Sequence, residues 1–395
     1  MDYNRPLFAS LTAVLSRPTP VIHVMIGPRQ VGKTTIARQI QEAIDIKSLY
    51  STADSPVPVD YNWIETQWRR AVSDATIAGA PVLLVLDEVQ KARGWSETLK
   101  LLRDNRHTGP EIRLLILGSS ALMMQEGLTE SLAGRFFMHR CTHWGYAECR
   151  EAFGWSLQQW IYFGGYPGAA AFMEPESDWK RYVTDSLIET VLARDVLQMS
   201  RITKPVLLRH LFALAATLPA QMVSYTKMLG QLHDAGNTTT LAHYLKLLEA
   251  AFLLSGLELF SQGIQRKRGS SPKLVLWNNA LVNALSVRTY ADALADTIWW
   301  GRLVENAVGA HLCNSLNSVE YGITYWRDGD HEVDFVVTRG MDVWAIEVKS
   351  GRSGRNSGLA RFKQRYPAAK TLLVGSQGIP LEEFFSRDAA AWLVG

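Results

Sequence analysis

Residues Gly27-Pro28-Arg29-Gln30-Val31-Gly32-Lys33-Thr34 form a complete GxxxxGKT phosphate-binding loop, and few short motifs constrain a fold as tightly. An apolar run at 21–26 precedes it and a helix-compatible segment at 35–43 follows, giving strand, loop and helix in the required order. The glycines let the backbone approach phosphate, and amides at the helix start, Thr35 included, point at the anion. Lys33 adds a point charge for the β- and γ-phosphates, and the Thr34 hydroxyl can ligate Mg2+. The loop is therefore expected to bind ATP with Mg2+.

A second half-site follows. The run Pro81-Val82-Leu83-Leu84-Val85-Leu86 is continuously apolar, as a parallel strand buried on both faces requires, and it ends in Asp87-Glu88. Asp87 at the strand end can hold the Mg2+ through water, and Glu88 can polarise the attacking water. A third strand over 113–117 leads into Gly118-Ser119-Ser120. Ser119 is a candidate to sense the γ-phosphate or orient the water, although serine at a strand end is also ordinary turn chemistry. Arg135, in Leu132-Ala133-Gly134-Arg135, is a candidate arginine finger for its own or a neighbour's ATP, with a solvated arginine as the open alternative.

At 395 residues the chain exceeds one comfortable core, so several domains are expected. With 47% hydrophobic and 20% charged residues it is globular rather than disordered. No apolar run reaches membrane-spanning length and the first residues are unlike a signal peptide, so no membrane association is expected. Three cysteines, Cys141, Cys149 and Cys313, form no disulfide framework and fit a reducing, cytoplasmic setting. A net charge of +3 is too mild to indicate nucleic acid by itself. His139, Cys141, His143 and Cys149 match no common zinc spacing, and strand packing is the better reading of them.

Residues 1–150 alternate strands and helices and read as a P-loop core with a parallel sheet. From 151 to 215 the apolar spacing turns helical, with a sharp turn at Gly164-Gly165-Tyr166-Pro167-Gly168 and a long amphipathic helix over 179–199, forming a helical lid. Residues 216–270 suggest a winged helix-turn-helix, with helices over 225–232 and 238–249. Asn237, Thr238, Thr239 and Thr240 would open the second helix toward DNA, but Lys246 is its single strong cation, so a packing role stays open. Arg266-Lys267-Arg268 with Lys273 form a better phosphate-binding candidate.

Residues 271–395 carry a second constellation. In the helix around 301–309, Glu305 shares a face with Val308, Gly309 and Leu312 and should point inward. Asp328-Gly329-Asp330 is a hairpin signal; the next strand should put Glu332, Asp334 and Val336 on one face, and the one after it Glu347 with Lys349. Asp334 and Glu347 can then hold a divalent metal, while Lys349 serves a reacting phosphate. Glu305, Asp334, Glu347 and Lys349 together resemble a nuclease geometry.

Taken with Leu86-Asp87-Glu88-Val89-Gln90, Ser131-Leu132-Ala133-Gly134-Arg135, Arg194-Asp195, Glu332-Val333-Asp334-Phe335 and Ile346-Glu347-Val348-Lys349, the chain resembles a prokaryotic AAA+-type ATPase family. Its members carry a C-terminal domain of unknown function similar to the PD-(D/E)xK restriction-endonuclease-like fold. One departure is Asn278, in Trp277-Asn278-Asn279, where the family usually shows Asp. The resemblance implies an α/β chain: a P-loop AAA+-type parallel sheet, a helical lid, a winged-helix segment and an α/β endonuclease-like domain. It implies a ring-like or filamentous homo-oligomer by analogy. The leading expectation is an ATP-hydrolysing enzyme that binds and remodels DNA, branched DNA among the candidates, with a module that binds or cleaves it. The alternative is a nucleotide-operated signalling switch whose C-terminal domains are protein-interaction scaffolds without nuclease activity.

Overall fold

The computed structural model describes residues 3–104, 109–119, 131–197, 202, 204–232, 237–261, 271–351 and 357–394. The chain divides into two units, residues 1–142 and 143–395.

In the first unit, β1 (Ile22–Ile26), β2 (Lys47–Thr52), β3 (Val82–Asp87), β4 (Ile112–Gly118) and β5 (Phe136–Arg140) form one sheet in the order β2-β3-β4-β1-β5. Every pairing is parallel. The central strands β3, β4 and β1 are buried at every residue, whereas the edge strands β2 and β5 are mostly half-exposed. That difference explains the sequence pattern, since a strand covered on both faces reads as an unbroken apolar run. The edge strand Lys-Ser-Leu-Tyr-Ser-Thr gives no such run and escapes a pattern-based reading. Among the described residues of this unit the α-helices are α1 (Pro6–Leu15), α2 (Lys33–Ala43), α3 (Tyr61–Ala78) and α4 (Trp95–Asp104). Within α2, Ile36, Ala37 and Ile40 are buried at helical spacing and fix which side meets the sheet. Because β4 lies between β1 and β3, its end brings Ser119 between the phosphate loop and Asp87-Glu88. All three strand ends lie at the carboxyl edge, where open α/β sheets bind ligands.

The second unit begins with short helices at Tyr146–Phe153 and Leu157–Phe163, the latter opened by a Ser156/Gln159 capping box. The long helix expected over 179–199 is an α-helical turn at Glu176–Arg181 continued by wider π-helical stretches at Tyr182–Ile188 and Val191–Val196. Residues 198–200 lie outside the described residues. Helices at Pro205–Thr217, Tyr225–Gln231 and Thr238–Ala250 follow, then β6 (Leu254–Leu257) paired antiparallel with β7 (Lys273–Leu276). Arg266, Lys267 and Arg268 fall outside the described residues.

Buried asparagines bind these segments together. Asn279 Nδ2 donates to Ile161 O (2.7 Å) and Leu303 O (2.9 Å), and Asn283 Nδ2 to Tyr162 O (2.7 Å). Asn306 accepts from Leu276 N (3.0 Å) and donates to Leu276 O (3.0 Å) and Asn279 Oδ1 (2.8 Å). Asn278 Oδ1 accepts from Gly165 N (3.1 Å) and Ala280 N (3.0 Å), which gives this departure a structural task.

The C-terminal part packs a helix at Thr297–Ser315 with a mixed sheet, β11-β10-β9-β8. Here β8 (Gly322–Asp328), β9 (His331–Arg339) and β10 (Asp342–Lys349) pair antiparallel, and β11 (Lys370–Gly375) joins β10 in parallel. The expected hairpin is present, with Asp328 opposite His331. One expectation is corrected. Val336 does not share the face of Glu332 and Asp334; it packs with Val333, Trp326 and Phe362. The cause is an irregular register: Val333 and Val336 stand opposite Trp326 and Thr324, so β9 holds an extra residue there. Such a bulge flips the alternation and turns nearby side chains to new directions.

Candidate functional site

The phosphate loop starts where β1 ends. Gly32 caps α2 in the left-handed region, with φ 92°, and Gln30 also has positive φ. Val31 and Lys33 are buried, Arg29 is half-buried and Gln30 and Thr35 are exposed. Lys33 Nζ donates to Gly27 O (2.9 Å) and Pro28 O (2.6 Å), so the ammonium lies inside the loop that must receive phosphate. Burial lowers its pKa, and nearby Cys141, Glu88 and Asp87 oppose that shift.

Asp87 is a hub. Its Oδ2 accepts from Thr34 Oγ1 (2.8 Å) and from Tyr50 OH (2.6 Å). The two groups expected to share Mg2+ therefore touch, and their hard oxygen donors suit that ion. Tyr50 was not legible as a site residue, because its strand carries no apolar signal. Burial, then the bond to Asp87, pushes the phenol well above its ordinary pKa, so it remains a donor. Glu88 takes a left-handed backbone at φ 54°, and its Oε2 accepts from Gln90 Nε2 (2.9 Å) and Ser119 Oγ (3.1 Å). Ser119 thus holds the carboxylate expected to orient water. Ser120 lies outside the described residues. Arg5 is a further residue the sequence did not signal. Its Nη1 donates to Val31 O (3.1 Å), Thr142 O (3.0 Å) and Cys141 Sγ (3.2 Å), fastening the chain start to the loop.

Arg135 lies at the opposite edge of the sheet from its own chain's phosphate loop, in keeping with the solvated-arginine alternative. It precedes β5 at the amino edge of the sheet, where its carbonyl accepts from Ile22 N (2.8 Å), while the phosphate loop leaves the carboxyl edge. Its guanidinium forms a two-point ion pair with Asp104 (3.0 and 3.1 Å). A role toward ATP bound by its own chain is thus ruled out by a strand's length of separation. The histidines near β5 have partners within the fold. His139 Nε2 is 2.9 Å from His23 Nδ1, and burial lowers His139 to about 4. His143 contacts Tyr166 OH (3.1 Å) and Asn314 Oδ1 (3.3 Å) in the second unit. The three cysteines are buried and free of disulfides.

The C-terminal acids also converge, around a residue assigned elsewhere by sequence. Lys273, grouped above with the basic loop, is fully buried. Its Nζ lies 2.5 Å from Glu305 Oε1, 3.1 Å from Asp334 O, 3.5 Å from Asp334 Oδ1 and 3.8 Å from Glu332 Oε1. Solvated phosphate binding by Lys273 is therefore excluded. Its position at the start of a fully buried strand was the available signal. Burial disfavours its charge, but Glu305 and Asp334 more than offset this and hold its pKa above the ordinary value. Across the cluster Asp334 Oδ2 accepts from Val348 N (2.8 Å). Glu347 Oε1 meets Lys349 Nζ (2.6 Å), and Glu347 Oε2 is buried without a partner. Burial and then Asp334 raise the Glu347 carboxyl. That orphaned oxygen suits a divalent cation held with Asp334. Among the described residues no set of three or more His, Cys, Asp or Glu is arranged to hold a metal.

Family models match three stretches of the chain. Residues 19–149 match an AAA domain. The first unit is thus a P-loop ATPase domain of the AAA type. Residues 154–292 and 300–383 match domains of unknown function, DUF8612 and DUF4143. A comparison with curated proteins gives no match. Among solved structures, the Walker-type ATPase PABY2304 of Pyrococcus abyssi is 12% identical, with 72% of this chain and 95% of that chain covered and a TM-score of 0.47. A RuvB variant from Thermotoga maritima is 16% identical, covering 68% and 90%, at a TM-score of 0.31. Among the described residues no helix is long and apolar enough to cross a membrane.

Proposed function

We propose that the chain hydrolyses ATP and uses the cycle to bind and remodel DNA, with a nuclease-like C-terminal module as the DNA-handling part. The observation that carries the ATPase reading is the contact of Thr34 with Asp87 beside a Glu88 held by Ser119. Loop amides and Lys33 bind the phosphates, and Lys33 exchanges its two carbonyl partners for phosphate oxygens. Thr34 and Asp87 would hold Mg2+, which neutralises charge on the β- and γ-phosphates. Tyr50 holds Asp87 in orientation by donating its hydroxyl to Oδ2. Glu88 accepts a hydrogen bond from the attacking water, and release from Ser119 or Gln90 is the step that frees it.

The DNA reading is supported by the helices at Tyr225–Gln231 and Thr238–Ala250 followed by the β6/β7 ribbon, an order that fits a winged helix. The acid cluster on a mixed sheet beside Lys349 fits an endonuclease-like module in which Asp334 and Glu347 hold one divalent ion. Glu305 serves there by anchoring Lys273. Assembly into a ring or filament would give Arg135 a neighbour's site to reach. One observation favours the alternative of a nucleotide-operated scaffold: Asn237 Oδ1 accepts from Thr240 N (2.9 Å) and Thr240 Oγ1 (3.1 Å), so these polar residues cap their own helix.

ATP turnover measured with and without single-stranded, duplex and four-way-junction DNA separates the readings. DNA-stimulated turnover with binding that weakens steeply in salt is expected. Turnover indifferent to every DNA form, without binding, would leave the scaffold reading.

A further inference from the structure

We propose that the ammonium of Lys273 is a built-in cation that permanently fills the Glu305–Asp334 side of the C-terminal acid cluster and keeps a divalent ion out of it. The inference rests on the reading of Asp334 and Glu347 as an ion site, and it concerns the other half of the same cluster.

Four oxygens face Lys273 Nζ: Glu305 Oε1 at 2.5 Å, Asp334 O at 3.1 Å, Asp334 Oδ1 at 3.5 Å and Glu332 Oε1 at 3.8 Å. On another side lies the ring of Phe335, 4.8 Å from Nζ. A lysine with no exposed surface cannot reach a substrate phosphate, so a catalytic role is excluded by access. The ammonium stands at ion-pair distance from the carboxylates of Glu305 and Asp334, which balance its charge inside the fold. Mutual need locks the arrangement, because removing the cation would leave Glu305 and Asp334 crowded together and half-buried without a counter-charge. A hard divalent ion seeks the same carboxylate oxygens, and on this side it would meet a fixed positive charge at contact distance.

The opposite side of Asp334 is built differently. Glu347 is buried, its Oε1 is taken by Lys349, and its Oε2 has no partner. Asp334 spans both halves, with Oδ1 toward Lys273 and Oδ2 on Val348 N. The cluster therefore has Lys273 filling its Glu305–Asp334 side, Lys349 on one oxygen of Glu347, and one seat open to an exogenous ion. A symmetric two-ion displacement, which needs two metals flanking the same phosphate, has no second seat here.

Mn2+ binding to the nucleotide-free full-length chain, followed by electron paramagnetic resonance, tests this. Ions are counted as those lost on Asp334→Asn, which removes any contribution from the ATPase unit. Wild type should hold one such ion, lost on Glu347→Gln, and Lys273→Met should hold one more than wild type. Thermal scans give an independent reading: Lys273→Met should melt lower than wild type in chelator and recover by the larger shift with Mn2+. Two Asp334-dependent ions in wild type, no added ion in Lys273→Met, or a Lys273→Met chain that Mn2+ fails to restore would each overturn the proposal. If wild type holds none and Lys273→Met gains one, the assignment of Lys273 stands while the Glu347 ion site fails.

Discussion

Two glycines of the phosphate loop are required for different physical reasons, and substituting each in turn separates them. A Cβ on Gly27 would lie 1.8 Å from Cys141 O and 2.8 Å from Cys141 C. Both are backbone atoms, and Cys141 N donates to Ile26 O at 2.8 Å, so accommodation means prising the end of β5 from β1. That loses the Cys141–Ile26 bond and disturbs the charged bonds from Arg5 to Val31 and Thr142. At about 1 kcal/mol for a neutral bond and about 1.5–3 for a charged one, Gly27→Ala should cost about 3–5 kcal/mol. Gly32 has φ 92°, and a Cβ added there would meet nothing within 4 Å, so Gly32→Ala meets only backbone strain, about 1–2 kcal/mol. Asn tolerates that region better, so Gly32→Asn should cost less still. For a unit of this size each kcal/mol shifts the melting midpoint by about 3 °C. Thermal scans of the full-length chain, with the first unit's transition identified by its shift with ADP, should give a drop of roughly 9–15 °C for Gly27→Ala and roughly 3–6 °C for Gly32→Ala. Equal drops, or a milder effect at Gly27, would refute the steric account.

Lys33→Ala should weaken nucleotide binding, whereas Glu88→Gln should bind ATP normally and turn over at least a hundredfold more slowly; fluorescent-nucleotide titration beside single-turnover hydrolysis distinguishes them. Asn306→Leu strips partners from Leu276 N, Leu276 O and Asn279 Oδ1 and should destabilise the second unit by about 3–5 kcal/mol, read by denaturant midpoint. Burial lowers His311 to about 4 from an ordinary 6.5, so the folded chain binds fewer protons than the unfolded chain between those values. Stability present at neutral pH should therefore fall as pH drops below about 6.5, by up to about 3 kcal/mol near pH 4, and His311→Phe should flatten that slope in melts taken across the range. Tyr50→Phe should weaken Mg2+-dependent ATP binding through a misoriented Asp87 while leaving Mg2+-free ADP binding nearly unchanged, a contrast that calorimetry can follow.

The sequence by itself determined the candidate nucleotide site. The order of strand, GxxxxGKT, helix and a second strand ending in Asp87-Glu88 leaves one way to bring Thr34 to Asp87, because consecutive local signals and a parallel sheet do the placing. It also marked Asp334, Glu347 and Lys349, whose alternation along two strands is a local property. Only the tertiary structure decided the rest. The opposite ends of β5 separate Arg135 from the phosphate loop, although spacing from the preceding strand said nothing of which edge it would occupy. An extra residue in β9 sent Val336 to the other face, and no periodic pattern announces a bulge. Tyr50 entered the site from an edge strand without an apolar run. Lys273 changed meaning entirely: beside Arg268 in the chain it reads as surface charge, but in the fold it is sealed among carboxylates from a helix and a distant strand. Local sequence fixes what a side chain is and which way its own element faces. Whether its charge meets water or a ring of acids depends on segments far along the chain that pack against it.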